Sequence, residues 1–211
     1  VLFHFEPGPD RWKLGFKEEV VASFKFLRKY GFRRVRAEAT LVRYHTAWPL
    51  TRNKMKLFVN VYHGRGSYEM GVEMGPRERE SEAVTLPEIV EWAGGEESKS
   101  SREHVTFQTS SREGVQKFVP KLAELVKKYA GPFLRGDAKA YDSLLGQRHR
   151  STQRYLTQME LDRAREKAEA AWHAKDYAQV VRFYEPFQDE LKRSEAAKLK
   201  YAKKQMLQPA R

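Results

Sequence analysis

The clearest signal along the chain is a change of hydrophobic period. In segment 14–30, LGFKEEVVASFKFLRKY, residues Phe16, Val20, Phe24 and Leu27 recur at helical spacing, with Val21 beside them. That spacing predicts an amphipathic helix. Gly31 follows as a C-terminal stop, and Arg28 and Lys29 in the last turn suit the negative end of a helix dipole. Beyond Gly31 the period falls to two. Segments 32–37 (FRRVRA) and 40–46 (TLVRYHT) carry the β-branched and aromatic residues of strands. The run 55–63, MKLFVNVYH, is the strongest strand signal, with Leu57, Val59 and Val61 on one face. Gly64-Arg65-Gly66 then reads as a turn. Segment 67–74 alternates Tyr68, Met70, Val72 and Met74 against Ser67, Glu69, Gly71 and Glu73. Together these two runs predict a β-hairpin whose apolar face lies against the helix at 14–30.

Further on, Thr85-Leu86-Pro87-Glu88 has the form of a capping box opening a short helix that Gly94-Gly95 ends. Segment 105–109 is short enough for one more strand. Ser110 and Ser111 are candidate caps for a helix over 112–130. Its buried stripe is Val115, Phe118, Val119, Leu122, Leu125 and Val126, with Pro120 inside as a bend and Gly131-Pro132 as the end. From about 137 onward every segment reads as helix: 137–149, 158–174, about 176–190 opened by Asp176, and about 195–207 capped by Ser194. The fold class expected from this order is α+β: a helix packed on a small mainly antiparallel sheet, followed by an all-helical C-terminal part. The expected division is 1–135 for the α+β domain and 136–211 for the helical extension.

Composition adds a partner class and removes several chemistries. The chain has 211 residues, 40 Lys+Arg against 28 Asp+Glu, and a formal net charge of +12. Such a balance permits binding to polyanions, because surface Lys and Arg release counterions from phosphates. The charge is unevenly spread. Residues 11–56 hold thirteen Lys/Arg and three acids, residues 66–97 hold two and nine, and residues from 148 onward hold fifteen and nine. A basic lobe, an acidic lobe and a basic tail therefore follow one another. No stretch approaches the roughly 20 apolar residues that span a bilayer, and the first residues have no secretory-leader pattern. With no cysteine, disulfides, thiolate metal sites and a cysteine nucleophile are excluded, and a cytoplasmic setting fits.

The search for chemistry returns no enzyme signature. There is no G-x-S-x-G elbow, no P-loop and no H-E-x-x-H, and the six histidines fall at no metal-ligand spacing. His63 and Glu69 are the closest local pair, able to face each other across a hairpin. Glu69 and Glu73 share a strand face at roughly 13 Å in extended geometry, too far apart for a retaining glycosidase pair. Neither a catalytic residue, a cofactor nor a metal is assigned.

Two binding surfaces remain. Polar-aromatic and charged residues of the sheet and its turn (Tyr44, Tyr62, Arg65, Tyr68, Glu69 and Glu73) and the aromatics of the last helices (Trp172, Tyr177, Phe183 and Tyr184) are candidates for contact with another protein. Interleaved basic residues (Arg28, Lys29, Arg33, Arg34 and Arg36, with Lys203 and Lys204 in the tail) are candidates for RNA or DNA, since aromatic and basic side chains together stack bases and hold phosphates. The pattern of Phe32 and Val35 among Arg33, Arg34 and Arg36 also suits an edge strand guarded by charge.

The strings YGFRR, TLVRY and KLFVNVYHGRGSYEMGVEMG resemble small uncharacterised bacterial α+β proteins of immunity-protein type over about 45 residues. AEAAWHAKDYAQVVRFYEPF resembles a single tetratricopeptide-type helical hairpin, with no second copy at the period of about 34. What these resemblances imply is a non-enzymatic interaction module that binds another protein, such as a partner of immunity type. The alternative from charge is a nucleic-acid-associated protein. Neither implies a membrane or an oligomeric state.

Overall fold

A computed structural model describes residues 9–47, 55–64, 66–94 and 105–207. The turn residue Arg65 lies outside them. The chain divides into two compact units, Val1–Gln147 and Arg148–Arg211.

The first unit is α+β, as the change of period predicts. A 3₁₀ turn, Pro9–Leu14, leads into α1, Phe16–Ser23, which continues as a second 3₁₀ segment, Phe24–Tyr30. The expected single helix is thus two helical forms in series. The buried residues are nonetheless Phe16, Val20, Phe24 and Leu27, because the apolar spacing of four, four and three suits an α-helix that tightens near its end. Gly31 terminates it at φ 80°, a left-handed conformation that only glycine adopts without strain.

Strands β1 (Phe32–Ala37), β2 (Leu41–Thr46), β3 (Leu57–His63), β4 (Glu69–Pro76) and β5 (Val84–Thr85) pair in that order. β6 (Phe107–Gln108) adds to β4, and every pairing is antiparallel. β1 is an edge strand, and its register against β2 breaks between Arg34 and Arg36. The bulge leaves Val35 outside the ladder and 54% exposed. Even-numbered residues of β2 and β4 and odd-numbered residues of β3 face the helices: Val42, Tyr44, Val59, Val61, Met70, Val72 and Met74 all belong to the main core. β3 is buried on both faces, so its alternation marks two sides of different polarity rather than inside and outside. Tyr68 sits in the turn before β4 at φ 55°, not in the alternating strand where the sequence places it.

Helix α2 (Leu86–Gly94) starts where expected: the Glu88 carboxylate accepts hydrogen bonds from the Thr85 N–H and hydroxyl, both at 2.8 Å. Helix α3 (Arg112–Tyr129) is capped by Ser111, whose hydroxyl accepts from the Gly114 N–H at 3.0 Å, and it runs through Pro120 without ending. Its buried stripe is Val115, Val119, Leu122, Ala123 and Val126, while Phe118 and Leu125 pack at the margin of the core. After the single turn α4 (Gly131–Leu134) comes α5, Ala138–His173.

That 36-residue helix corrects an expectation of two separate segments. The stretch near 149–157 has no apolar period because it is exposed on almost every side. It contains no Pro or Gly to stop a helix, so the polar gap is a solvated part of one element. Ala140, Tyr141 and Leu144 near its start belong to the first unit's core, which is why that unit extends to Gln147 rather than to 135.

The second unit continues with α6 (Tyr177–Tyr184), where the Asp176 carboxylate accepts from the Gln179 N–H at 3.1 Å, and then α7 (Arg193–Met206). α7 is capped at Lys192 rather than at Ser194, because the Glu195 carboxylate reaches back to the Lys192 N–H at 2.8 Å. Pro186 confines α6 to two turns by removing a backbone donor. The unit's core is Ala168, Val180, Tyr184, Leu199 and Ala202. Among the described residues, no helix is long and apolar enough to cross a membrane.

Candidate functional site

A depression of about 590 Å³ opens where the 3₁₀ segment Phe24–Tyr30 meets the edge of the β1–β2 pair. A 3₁₀ helix repeats every three residues, so side chains three apart eclipse one another. Phe24 and Leu27 therefore point together into the core, and Lys25 and Arg28 line up together on the rim. Arg34 comes to the same rim from β1, and Val21, Phe32 and Tyr44 complete the wall. Arg33 borders the depression through its place in the strand, but it pairs with His45, so its side chain faces the other side of the sheet.

Three properties distinguish this place. First, Lys25, Arg28, Arg33 and Arg34 are exposed, and none of them pairs with a carboxylate among the described residues. Three like charges around one concavity, Lys25, Arg28 and Arg34, with Arg33 beside them on the other face of the edge strand, leave a positive potential that a bound anion neutralises. Secondly, Tyr44 is 6% exposed, yet its hydroxyl makes no hydrogen bond to another described residue. The buried side-chain atoms without a hydrogen-bond partner among the described residues are His45 Nε2, His63 Nδ1 and Glu82 Oε2, so the Tyr44 hydroxyl is one that solvent reaches. Thirdly, burial raises the Tyr44 pKa to about 12, with Arg34 and Arg28 pulling in the opposite direction. The phenol stays protonated, and able to donate, across all ordinary pH. The arrangement is suited to holding a compact oxyanion.

The other candidates are distributed more widely. Arg36 is tied to Glu38 at 2.6 Å and Lys203 to Glu185 at 2.8 Å. Lys29 is exposed but does not line the depression, and Lys204 is exposed on the second unit. Lys25 is the member that sequence reasoning omits; its signal is the three-residue offset from Arg28. Strand parity separates Tyr44 from the rest of the proposed sheet surface, because Tyr62, Glu69 and Glu73 lie on the opposite face. There Tyr62 lies across Gly71, its register partner. Arg43 Nε donates to Asn60 Oδ1 at 2.8 Å, and Asn60 Nδ2 donates to Glu73 Oε1 at 2.7 Å. Arg43 also reaches Glu80 at 3.2 Å. These side chains satisfy one another in a row across three strands.

His63 and Glu69 do not face each other, since His63 points into the core and Glu69 to the other side. The His63 ring packs 5.5 Å from Phe16 and 5.9 Å from Tyr68. Its Nε2 donates to the Thr109 carbonyl at 2.8 Å, and Nδ1 is buried with no hydrogen-bond partner among the described residues. Arg11 closes the turn by donating to the Gly64 carbonyl at 2.7 Å, its guanidinium 4.5 Å above the Tyr68 ring. Burial, then the nearby Arg11 charge, hold the His63 pKa below its usual value against the pull of its backbone hydrogen bond. This is a structural histidine. Among the described residues no group of three or more acidic or histidine side chains converges as a metal site.

In the second unit, Tyr184 is core, and Phe183 is half-buried beneath Lys167. Trp172 and Tyr177 are half-buried and form a mutual edge-to-face cluster with Tyr201, ring centres 5.5 to 6.0 Å apart. Tyr201, absent from the expected set, is 46% exposed and borders a shallow groove with Lys175 and Lys198.

No family model, no curated protein and no solved structure matches this chain.

Proposed function

We infer that the protein is a non-enzymatic binding protein for nucleic acid, RNA or DNA. The observation that carries this reading is the convergence of Lys25, Arg28 and Arg34 on one depression beside the edge strand, with Arg33 on the other face of the same strand, all four without acidic partners among the described residues. The excess of 40 Lys+Arg over 28 Asp+Glu supports it, because phosphate contacts dominate the affinity of such proteins. A cysteine-free chain also fits a cytoplasmic location. The test is a gel shift of the full chain against a mixed pool of RNA and DNA. Retardation that is lost in the double variant Arg28→Glu, Arg34→Glu supports the reading. Absence of any retarded species at low salt contradicts it.

A second reading, an interaction module for another protein, rests on the Trp172–Tyr177–Tyr201 cluster. Aromatic rings that are half wet and held rigidly by one another are the residue type enriched at protein interfaces. A partner of immunity type belongs to this reading. It requires that a tagged chain retain a stoichiometric protein that the double variant Trp172→Ala, Tyr201→Ala releases.

A further inference from the structure

We propose that the open edge of β6 takes an extended acidic peptide as an added strand, its backbone paired to Gln108 and its side chains set against the Phe107–Phe118 ring pair and the lysine row of α3, Lys117, Lys121 and Lys128. This surface shares no residue with the depression beside β1. It therefore goes beyond the nucleic-acid reading and does not depend on it.

Among the described residues β6 pairs on one side only, with β4. The Thr109 N–H donates to the Tyr68 carbonyl at 3.0 Å, so residues 107 and 109 turn their backbone groups toward β4. In an antiparallel ladder the residue between them turns both of its groups the other way. The Gln108 N–H and C=O therefore face outward, and neither has a hydrogen-bond partner among the described residues. The Gln108 side chain does not cover them, since its Nε2 donates to the Ser67 carbonyl. An outward donor and an outward acceptor on one residue are the complement of another peptide backbone, which is how a strand adds to a sheet edge.

Beside this edge, on the helix side of the sheet, lies a groove of about 620 Å³ between β6 and α3. Phe107 pairs with Met70 and so faces the helices, where its ring stacks on Phe118 at 5.0 Å. Both rings are half-buried, and Leu125 continues the apolar floor along α3. Positions 117, 121 and 128 fall on one stripe of an α-helix, next to the stripe that carries Phe118 and Leu125. The three lysines are exposed, and none pairs with a carboxylate among the described residues. Glu124 is the one acid among the lining residues described, so the wall is positive.

Charge and backbone together select the occupant. A nucleic-acid strand would meet the lysines with its phosphates, but its phosphodiester links carry no donor for the Gln108 carbonyl. A peptide strand supplies donor and acceptor at once. The residue it places opposite Gln108 shares the outer face, and the residues before and after turn toward α3. There an apolar side chain covers the two rings and an acidic one reaches the lysine row. Such a partner carries apolar and acidic residues in turn along one side of a strand.

The experiment measures fluorescence anisotropy of the full chain with a labelled peptide of about eight residues, in which threonine alternates with valine and glutamate in turn. One control peptide has glutamine for glutamate, and another is N-methylated along its backbone. The expected result is that the acidic peptide binds roughly tenfold tighter than either control. The double variant Lys117→Glu, Lys121→Glu loses the preference for glutamate over glutamine. Gln108→Pro deletes an N–H that no ladder bond uses, at an edge position where proline is tolerated, and abolishes binding. Gln108→Ala keeps the backbone and binds like the wild type. Should Gln108→Pro lower the thermal midpoint enough to unfold the chain, the N-methylated peptide on the wild type decides the same point. Equal binding of the three peptides, or binding of none, overturns the proposal. So does a single strand of RNA that displaces the peptide and is itself weakened by Lys117→Glu, Lys121→Glu, which gives the groove to nucleic acid. Self-association of the chain that Gln108→Pro abolishes also overturns it, in favour of a second copy. None of these outcomes touches the nucleic-acid reading, whose own test is the double variant Arg28→Glu, Arg34→Glu.

Discussion

Arg34 stands directly opposite Tyr44 in the β1–β2 register, so an exposed cation and a largely buried phenol ring share one face of the sheet. The bulge that follows Arg34 places Arg36 on the other face, where it meets Glu38 and is neutralised. Three arginines in one short strand therefore have different fates. Arg33 and Arg34 remain available for an anion, whereas Arg36 is occupied within the fold.

The titration of Tyr44 follows from its burial. Its pKa is about 12 in the folded chain, against 10.0 for the free phenol. A group that holds its proton more tightly when folded contributes stability that is complete below the unfolded value and is lost as pH rises through the folded one. Two pH units correspond to roughly 2–3 kcal/mol. The window here is pH 10 to 12. Urea midpoints measured across that range fall for the wild type, and fall less for Tyr44→Phe, which has no phenol to ionise.

His63 and His45 act in the opposite direction and at lower pH. Both are held below the usual value of 6.5, chiefly by burial, with Arg11 acting on His63 and Arg77 and Arg43 on His45. The unfolded chain therefore binds protons that the folded chain refuses. Their contribution to stability is present above pH 6.5 and disappears as pH falls through the folded pKa. Denaturation midpoints should decline on acidification from pH 7, and the His63→Gln variant should show a shallower decline than the wild type.

Tyr62 and Gly71 form a close cross-strand pair on the far side of the sheet, where a Cβ at position 71 would collide with the Tyr62 ring. Gly71→Ala is expected to cost about 1–3 kcal/mol through overpacking. Combining it with Tyr62→Ala should recover part of that loss, so that the two effects are not additive. Thermal denaturation of the two single variants and the double variant measures the coupling directly. Additive effects would mean that the ring simply moves aside.

In the second unit, the Arg165 guanidinium grips the Glu195 carboxylate with two hydrogen bonds, at 2.8 and 3.2 Å, and Glu195 also accepts from the Lys192 N–H. Burial by itself would raise the Glu195 pKa, but these donors outweigh it and hold it low. Glu195→Ala removes both the pair and the capping acceptor of α7. The expected loss is about 2 kcal/mol, read as a lower thermal midpoint, while Glu190→Ala on the exposed surface should have little effect.

The backbone plan was legible in the sequence wherever one physical signal dominated. Phe16, Val20, Phe24 and Leu27 mark the buried face of the first helix because nothing else in that segment is apolar at that spacing. Met70, Val72 and Met74 mark β4 for the same reason. The long helix was not legible as one element, because residues near 149–157 are solvated and carry no apolar period. The depression was legible only in part. Arg28, Arg33 and Arg34 stand out as charges in an aromatic context, but the convergence of Arg28 and Arg34 depends on a 3₁₀ turn and on the left-handed Gly31. The sequence pattern groups Tyr44 with Tyr62, Glu69 and Glu73 on one sheet surface. Strand parity sets it on the other face, and parity across three strands cannot be read until their register is known.

The most direct test of the account is the salt dependence of affinity for a single strand, compared between the wild type and the triple variant Arg28→Ala, Arg33→Ala, Arg34→Ala. Each lost phosphate contact reduces the slope of log affinity against log salt by about 0.7, so the triple variant should show a slope shallower by roughly two. A wild-type affinity that does not respond to salt, or a triple variant whose slope is unchanged, would contradict the assignment of these arginines to a nucleic-acid site.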